Sequence, residues 1–364
     1  MAWPKRLLIA SQPLDAGVPR QVLELVEALD PERYRFDVAC PRESLLWTAL
    51  AARRDVSLHP IAPDREPGPA DARTFARLLT LVARADVVHA HSAKAGFLAR
   101  LAAAARGRAG RCVFSPHGWS FWAADGARSG VYRTLERLAA PWCARIAVVS
   151  EHERAAGLAA GIGTPPQYAV VPNGIAVERF AAAPDPVAGR LLMIGRLARP
   201  KRPDLVVRAV DELRRRFPEV HLLLAGDGPL RPDVERLLHR LGLGGHVSLL
   251  GSREDVPELV RTAACIVLAS DYEGCPVSII EGMAGGVPVV ATRVGGVPEL
   301  VGAATGVLVE PGSHELLAAA LGRLLERPEL GRELGEAGRT VARRRFTRER
   351  MAAGLAALYE EAAA

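Results

Sequence analysis

The sequence lacks any apolar run that is long enough to span a membrane. A membrane helix needs about 20 consecutive apolar residues, whereas stretches such as 101–105 and 139–141 are short and lie close to arginine. Residues 1–6 lead directly into a strand-like segment at 7–10, which leaves no room for a signal peptide. These absences predict a globular chain, and 364 residues are enough for two domains with separate cores.

Paired cysteines are also missing. The five cysteines are an odd number, lie far apart in the chain and form no CxxC motif. Their spacing argues against a disulfide framework and against a zinc site, and it suits a reducing cytoplasm.

Positive charge is unevenly distributed. Residues 1–183 carry 23 Lys and Arg against 17 Asp and Glu, whereas residues 184–364 carry 24 against 24, so the whole net charge of +6 lies in the first half. Arg100, Arg106, Arg108 and Arg111 lie within twelve residues that contain no acid. Two explanations stay open: a chance distribution, or a surface that meets an anionic membrane or a phosphate-bearing acceptor.

Short apolar runs alternate with segments of 3.6-residue apolar spacing, a pattern typical of βαβ units and parallel sheets. The alternation stops at residues 181–186, a small and proline-punctuated linker, and then restarts. Two α/β domains are therefore expected, each with its ligand site at the carboxyl ends of the strands. The predicted strands are 7–10, 36–39, 56–61, 87–90, 112–114, 146–149, 169–171, 191–194, 222–224, 247–250, 266–268 and 287–291.

Two glutamates flank a predicted helix start in the second half. Glu273 follows the strand at 266–268, Pro276 suits the first turn of the next helix, and Glu281 falls inside that helix. The backbone N–H groups of residues 275–278 would form an anion site, with the two carboxylates about 12 Å apart on either side. The alternative is one surface carboxylate and one helix-interior carboxylate. A Gly286-Val287-Pro288-Val289-Val290 run follows.

Two further turns lie at strand ends in this half. A glycine turn, Gly195-Arg196, and the nearby Lys201 bring two cations to the mouth of the sheet, where they could neutralise a diphosphate. The alternative is an exposed basic turn. The next strand ends in Gly226-Asp227-Gly228-Pro229, whose glycines let the backbone approach a ligand.

In this order and spacing, these motifs resemble glycosyltransferase family 4 of the group 1 type, retaining enzymes with the GT-B fold. The resemblance covers nearly the whole chain and is strongest from about 190 to 310. It implies an α/β protein with two facing Rossmann-like domains and an interdomain cleft. Residues 1–183 would form the acceptor-binding domain, 184–342 the nucleotide-sugar donor-binding domain, and 343–364 a helix that packs back on the N-terminal domain.

The resemblance also implies roles for individual residues. Arg196 and Lys201 would bind the donor diphosphate, Glu273 the sugar hydroxyls and Glu281 the ribose. In the N-terminal half, Asp15-Ala16-Gly17-Val18 has one glycine where the family has a pair, and His117 in Ser115-Pro116-His117-Gly118 matches the family's cleft histidine. A packed structural histidine is the alternative for His117. The implied catalytic residues are Glu273, His117, Arg196 and Lys201; the implied donor-binding residues are Gly17, Arg196, Lys201, Gly226, Asp227, Gly274, Cys275, Pro276, Val277 and Glu281.

No metal and no other cofactor is expected. No DxD motif is found, since the nearest segment is Asp271-Tyr272-Glu273, and protein cations with helix N–H groups can stabilise the departing diphosphate instead. His89-Ala90-His91 could suggest a metal, but we expect its two histidines to lie on opposite faces of a strand, where they cannot share one ion.

The expected activity is hexosyl transfer (EC 2.4) from a nucleotide sugar, with UDP as the default base, to a glycan or lipid-linked acceptor. Segments 91–96 and 116–118 are similar to members that build capsular and other surface polysaccharides. The alternatives are a sugar-nucleotide epimerase on the same scaffold and a catalytically silent binding partner. We expect a cytoplasmic protein that binds no nucleic acid, with peripheral contact at the inner face of an anionic membrane as a further hypothesis.

Overall fold

The computed structural model describes residues 4–15, 17–64 and 66–363. The chain divides into two compact units, one made of Met1–Gly174 with Arg348–Ala364 and the other of Ile175–Thr347. None of the helices within these described ranges combines the length and the hydropathy that a membrane-spanning segment needs. Both units alternate strands with helices, as the sequence predicts.

The first unit is built on a seven-stranded parallel sheet with the order β3-β2-β1-β4-β5-β6-β7. Its strands are β1 (Lys5–Ala10), β2 (Tyr34–Cys40), β3 (Val56–Pro60), β4 (Val87–His91), β5 (Cys112–Ser115), β6 (Arg145–Val148) and β7 (Tyr168–Val170). Its helices before residue 174 are α1 (Gly17–Ala28), α2 (Leu45–Leu50), α3 (Ala70–Arg84), α4 (Lys94–Ala105), α5 (Gly126–Ala139) and α6 (Glu151–Ala159).

The second unit is built on a six-stranded parallel sheet with the order β10-β9-β8-β11-β12-β13. Its strands are β8 (Arg190–Ile194), β9 (His221–Ala225), β10 (Val247–Gly251), β11 (Cys265–Leu268), β12 (Val289–Thr292) and β13 (Gly306–Val309). Its helices are α7 (Pro203–Leu213), α8 (Arg231–Leu241), α9 (Val256–Arg261), α10 (Val277–Gly285), α11 (Val297–Leu300), α12 (His314–Glu326) and α13 (Pro328–Arg345).

The last helix, α14 (Arg348–Ala363), belongs to the first unit. Leu355, Leu358 and Tyr359 are buried in one core cluster with residues of β1, β2 and α1, which explains why this helix is apolar on one side. The sequence predicts one continuous helix from 343, but the helix is interrupted at Phe346 and Thr347. There the Phe346 carbonyl accepts from the N–H of Ile175 at 3.0 Å, and Thr347 forms a bridge with the same residue.

The division between the units differs from the predicted one at 183/184, because residues 175–186 are held inside the second unit. Phe180 is buried, the N–H of Asp185 donates to the Arg261 carbonyl at 2.9 Å, and Arg339 Nη2 donates to the Ala182 carbonyl at 3.1 Å. The proline-punctuated segment therefore lies on the surface of the second unit. The chain passes from the first unit to the second after Gly174.

Each sheet has one switch point, where the strand order reverses direction. It lies between β1 and β4 in the first unit and between β8 and β11 in the second. Loops that leave neighbouring strands there diverge to opposite faces and open a crevice at the carboxyl edge, which is where open α/β sheets bind ligands. The residues that follow these four strands are therefore the first to examine.

Candidate active site

Lys201 and Glu273 meet at the switch point of the second unit. Lys201 follows β8 through a short 3-10 turn, and Glu273 follows β11. Lys201 Nζ lies 2.5 Å from Glu273 Oε1, with 23% of the lysine side chain and 11% of the glutamate side chain exposed. The two loops are also joined through their backbones, since the N–H of Asp271 donates to the Pro200 carbonyl at 2.8 Å. The ion pair is thus fixed at the crevice and still reaches solvent.

The Glu273 carboxylate is held from several sides. Ser270 Oγ donates to the same Oε1 at 2.6 Å, and the Ser270 carbonyl accepts from Thr292 Oγ1 at 2.7 Å. The Glu273 carbonyl accepts from the N–H of Gly296 at 3.0 Å, and a Cβ on Gly295 would lie 1.9 Å from that carbonyl oxygen. Gly295 has a φ of 52°, so glycine is required there for both reasons. Sequence reasoning missed Ser270 and Gly295.

Arg196 is placed by two glycine loops that run side by side. Gly195 has a φ of 149°, and a Cβ on Gly226 would lie 2.0 Å from the Gly195 carbonyl oxygen. The two backbones can lie this close because position 226 has no side chain. Arg196 follows this contact, just beyond the end of β8. Its side chain is partly exposed, and no ion pair to it is found within the described part of the chain. Asp227 is engaged locally, accepting from the N–H of Gly228 and pairing with Arg231 at 3.2 Å.

Helix α10 begins directly after the Glu273 loop. Pro276 precedes the helix at the N-cap instead of lying in its first turn, and no side chain caps the N-terminus. The first-turn N–H groups of a helix have no intrahelical acceptor and carry a partial positive charge, so this end can hold an anion. Cys275 is buried, Gly274 and Val277 are partly exposed, and Glu281 is buried one turn into the helix. Glu273 thus precedes the start of α10 and Glu281 lies inside the helix, as the sequence predicts.

Arg202 occupies the position after Lys201 where the resembled motif has glycine. It adopts a left-handed conformation with a φ of 45°, which joins the 3-10 turn to Pro203 at the start of α7. Its guanidinium pairs with Asp204 at 2.9 Å and with Asp271 at 3.3 Å. These pairs raise the pKa of Arg202 and compensate for the strained backbone.

His117 lies beyond β5 in the first unit, on a turn of unusual backbone. His117 and Gly118 have φ values of 53° and 96°. The buried Glu153 carboxylate accepts from the N–H groups of Gly118 and Val149, the latter at 2.7 Å, and so fastens the turn to the end of β6. Sequence reasoning missed Glu153. His117 itself is partly exposed, and burial of its ring lowers its pKa to about 4, so that it is neutral at pH 7.

The expectation that His89 and His91 lie on opposite faces of their strand is wrong. Residues i and i+2 of a strand share a face, and the two ring centroids are 3.8 Å apart. His89 is hydrogen-bonded to Tyr359 Oη at 2.6 Å and to Ser115 Oγ at 2.9 Å, and His91 Nδ1 lies 2.8 Å from His117 Nε2. Burial lowers the pKa of His89 to about 3 and that of His91 well below its usual value.

Other predicted residues are less constrained. Gly17 is the first residue of α1, and a Cβ there would have no neighbour within 4 Å, while Ala16 of the same loop lies outside the described residues. Within the described ranges, the one group of side chains with spacing suited to a metal ion is Glu212, His314 and Glu315. These three are paired with one another, His314 Nε2 lying 3.1 Å from Glu212 Oε1.

Two family models match the chain in succession. The model "Glycosyltransferase Family 4" matches residues 16–179 and "Glycosyl transferases group 1" matches residues 178–341. The GDP-mannose-dependent alpha-(1-6)-phosphatidylinositol monomannoside mannosyltransferase of Mycolicibacterium smegmatis is 31% identical over 290 residues, which are 72% of this chain and 74% of that enzyme. This chain is a family 4 glycosyltransferase.

Further comparisons agree with this assignment. Over 187 residues the transferase is 33% identical to the alpha-D-kanosaminyltransferase of Streptomyces kanamyceticus, but the match spans only 50% of this chain and 48% of that enzyme. The crystal structure of HepE from Anabaena, in complex with UDP and glucose, superposes with a TM-score of 0.83 at 21% identity, covering 97% of this chain and 98% of that one. The transferase therefore has the GT-B fold, as its sequence predicts.

Proposed function

We propose that the transferase moves a hexosyl group from a UDP-sugar to a glycan or lipid-linked sugar, in the assembly of a surface polysaccharide or glycoconjugate. The observation that carries the proposal is the Lys201–Glu273 pair, with Arg196 on the same segment after β8. In this proposal the cations would meet a diphosphate and the carboxylate would meet sugar hydroxyls, at the switch point where α/β sheets bind ligands. The UDP in the HepE complex favours uridine as the base, whereas the mannosyltransferase named above uses GDP-mannose.

The leaving diphosphate would be stabilised by protein groups alone. An ammonium group has three donors, so Lys201 can keep its bond to Glu273 and still donate to a phosphate oxygen. Arg196 is partly exposed and offers a planar fork of donors that matches phosphate geometry. The start of α10 adds backbone N–H groups that no side chain caps. With these charges in place, we propose that the reaction needs no metal.

The donor sugar would be recognised by the second oxygen of Glu273. Oε1 already accepts from Lys201 and Ser270, while Oε2 accepts no hydrogen bond from the described residues. A carboxylate with one oxygen fixed and one available is oriented to accept from sugar hydroxyls. By the family resemblance, Glu281 would hold the ribose, and Gly17, Gly226 and the segment 274–277 would contact the donor.

We propose that the transfer retains the anomeric configuration. The bond between the anomeric carbon and the diphosphate oxygen breaks, and the acceptor oxygen bonds to the same face of the sugar. The acceptor's proton passes to the departing phosphate oxygen, so no protein nucleophile is needed. By the family resemblance, His117 would contact a sugar as a neutral hydrogen-bonding group, since its pKa of about 4 leaves it uncharged at pH 7.

For a lipid-linked acceptor, we propose that helix α5 contacts an anionic membrane. The predicted basic cluster needs one correction, because Arg100 is fully buried and paired with Glu136. Helix α5 offers a better surface: its apolar side chains Val131, Leu135 and Leu138 are 56%, 37% and 58% exposed. Its only acid, Glu136, is the buried partner of Arg100, so the exposed charge of the helix is positive. The exposed arginines of α5 are Arg128, Arg133 and Arg137.

An apolar stripe with basic neighbours suits the interface of an anionic bilayer. Each basic residue near such a surface contributes about 1 kcal/mol, so the expected attachment is weak and sensitive to salt.

The products formed from a nucleotide sugar distinguish glycosyl transfer from the epimerase and binding-partner alternatives. Purified transferase is mixed with nucleotide sugars that stabilise it in a thermal-shift screen, with and without candidate acceptors. Release of UDP that depends on the acceptor, with one sugar joined per UDP, supports transfer. Conversion of the nucleotide sugar to an epimer, without net release of UDP, indicates the epimerase alternative. Stabilisation with neither release of UDP nor any change in the nucleotide sugar indicates a binding partner. Stabilisation by GDP-sugars and not by UDP-sugars would replace uridine by guanosine.

A further inference from the structure

His91 and His117 form a hydrogen-bonded pair between two uncharged rings. His91 ends β4 and is buried, whereas His117 lies on the turn after β5 and is partly exposed. The distance from His91 Nδ1 to His117 Nε2 is 2.8 Å. Burial lowers the pKa of both imidazoles, that of His117 to about 4. Since a neutral imidazole carries one N–H and one bare nitrogen, a single hydrogen joins the two rings, and one ring must donate it.

The environment of His91 decides which ring donates. His91 Nε2 is buried and has no hydrogen-bond partner among the described residues. The neighbouring His89 offers none, because both of its ring nitrogens are engaged by Tyr359 and Ser115. If His91 carried its hydrogen on Nε2, a buried N–H would be left without an acceptor, which native structures rarely tolerate. With the hydrogen on Nδ1, that N–H is satisfied by His117.

The tautomer of His91 then sets the tautomer of His117. A donating His91 Nδ1 requires a bare Nε2 on His117, so the hydrogen of His117 is on Nδ1. His117 Nδ1 forms no hydrogen bond with a described residue, and its ring reaches solvent at the carboxyl edge of the first sheet. The Glu153 carboxylate accepts from the N–H groups of Gly118 and Val149, and these bonds, with the positive φ of His117, fix the backbone of the turn that carries the ring.

We propose that His91 is a positioning residue that holds His117 in the Nδ1–H tautomer, so that His117 offers a fixed donor to a sugar hydroxyl oxygen. The assignment of a sugar as the partner rests on the proposed function, whereas the tautomer itself does not. A ring that alternated between tautomers would offer a donor only part of the time, and transition-state stabilisation depends on donors that are already oriented.

The tautomer is measured on the full-length protein by the 15N chemical shifts of its histidine rings, with His117→Ala used to assign the signal. In the wild type, Nδ1 of His117 should show the shift of a protonated nitrogen and Nε2 that of a bare nitrogen. The reverse pattern overturns the proposal.

Two variants, His91→Asn and His91→Asp, have side chains of the same shape and test whether the tautomer of His117 affects transfer. The amide of His91→Asn can donate in place of Nδ1–H, so His117 should keep its tautomer and transfer should stay within about threefold of the wild type. The carboxylate of His91→Asp only accepts, which moves the hydrogen of His117 to Nε2. The kcat for transfer should then fall by roughly 10²-fold, the effect of losing one oriented donor, with the KM for the sugar nucleotide changed far less.

Each outcome bears on a different part of the proposal. Full transfer by His91→Asp, with the tautomer shown to be reversed, overturns the positioning role. Full transfer by His117→Ala overturns the role of His117 in the proposed function. The tautomer of the wild-type ring is then still decided by the 15N chemical shifts. If His91→Asp does not fold, the wild-type and His91→Asn spectra still decide the tautomer.

Discussion

Arg100 and Glu136 form an ion pair inside the first unit, with Nη2 and Oε2 2.7 Å apart and the arginine side chain 0% exposed. The guanidinium also lies over the Phe114 ring, 3.6 Å from its centroid. Arg100→Ala should leave the Glu136 carboxylate buried without its partner. We expect a loss of about 3–5 kcal/mol in the free energy of unfolding, measured by urea denaturation.

Arg111→Ala is the matched control, since Arg111 belongs to the same basic segment and is exposed. Its effect on stability should stay within about 0.5 kcal/mol. Similar losses for the two variants would show that the Arg100 pair has no special role in the fold.

The first prediction about the reaction concerns Glu273. Glu273→Gln should largely abolish transfer and leave the affinity for UDP within a few-fold of wild type, because the carboxylate is assigned to the sugar and not to the phosphates. Binding is measured by calorimetry and transfer by product formation. Glu254→Gln, on an exposed loop, is the control and should change neither. Parallel losses of UDP affinity and turnover in Glu273→Gln would contradict the assigned role.

The second prediction about the reaction concerns the positive charge that would stabilise the departing diphosphate. Arg196→Ala and Lys201→Ala should each lower kcat roughly 10²–10³-fold, as the removal of an oriented oxyanion donor does. Activity of the wild type should survive EDTA, because the proposed cations are side chains. Loss of activity in EDTA, restored by Mg²⁺, would reject the metal-free reaction.

A third prediction follows from the contact between Gly295 and Glu273. A Cβ at position 295 would lie 1.9 Å from the Glu273 carbonyl oxygen, and the residue has a positive φ. Gly295→Ala should therefore displace the Glu273 loop and lower transfer at least about tenfold, in keeping with the sensitivity of catalysis to small misplacements. Gly302→Ala is the control, since a Cβ there would meet nothing within 4 Å. Equal activities of the two variants would show that the Gly295 contact does not position Glu273.

The membrane contact is tested by sedimentation with vesicles. The transferase should pellet with phosphatidylglycerol vesicles at low salt, remain in the supernatant with phosphatidylcholine vesicles, and be released by added salt. Val131→Glu with Leu138→Glu should abolish pelleting, because both the apolar stripe of α5 and its positive charge are weakened. Arg106→Glu with Arg111→Glu, in the separate basic loop, is the comparison. Retained binding in the α5 variant and loss in the loop variant would move the contact to that loop.

The alternation of apolar runs and helical spacing determined the fold class, since each of the twelve predicted strands overlaps one strand of the two parallel sheets. The short edge strand β13 was missed because four residues, Gly306–Val309, carry little periodicity. That Lys201 and Glu273 lie close together could be predicted, because both follow strands and the carboxyl ends of parallel strands meet at one edge of the sheet. Their roles in the reaction, and that of Arg196, stay predictions.

Only the tertiary structure decided which side chains from distant parts of the chain contact one another. The burial of Arg100 depends on Glu136, a partner 36 positions away, and the crossing at Gly174 depends on backbone bonds to the end of α13. The alternation rule places His89 and His91 on one face, but only packing brings His117 from the next strand and Tyr359 from the last helix to them. Local sequence fixes which way a side chain leaves its strand, whereas its partner depends on distant segments that the packed fold brings together.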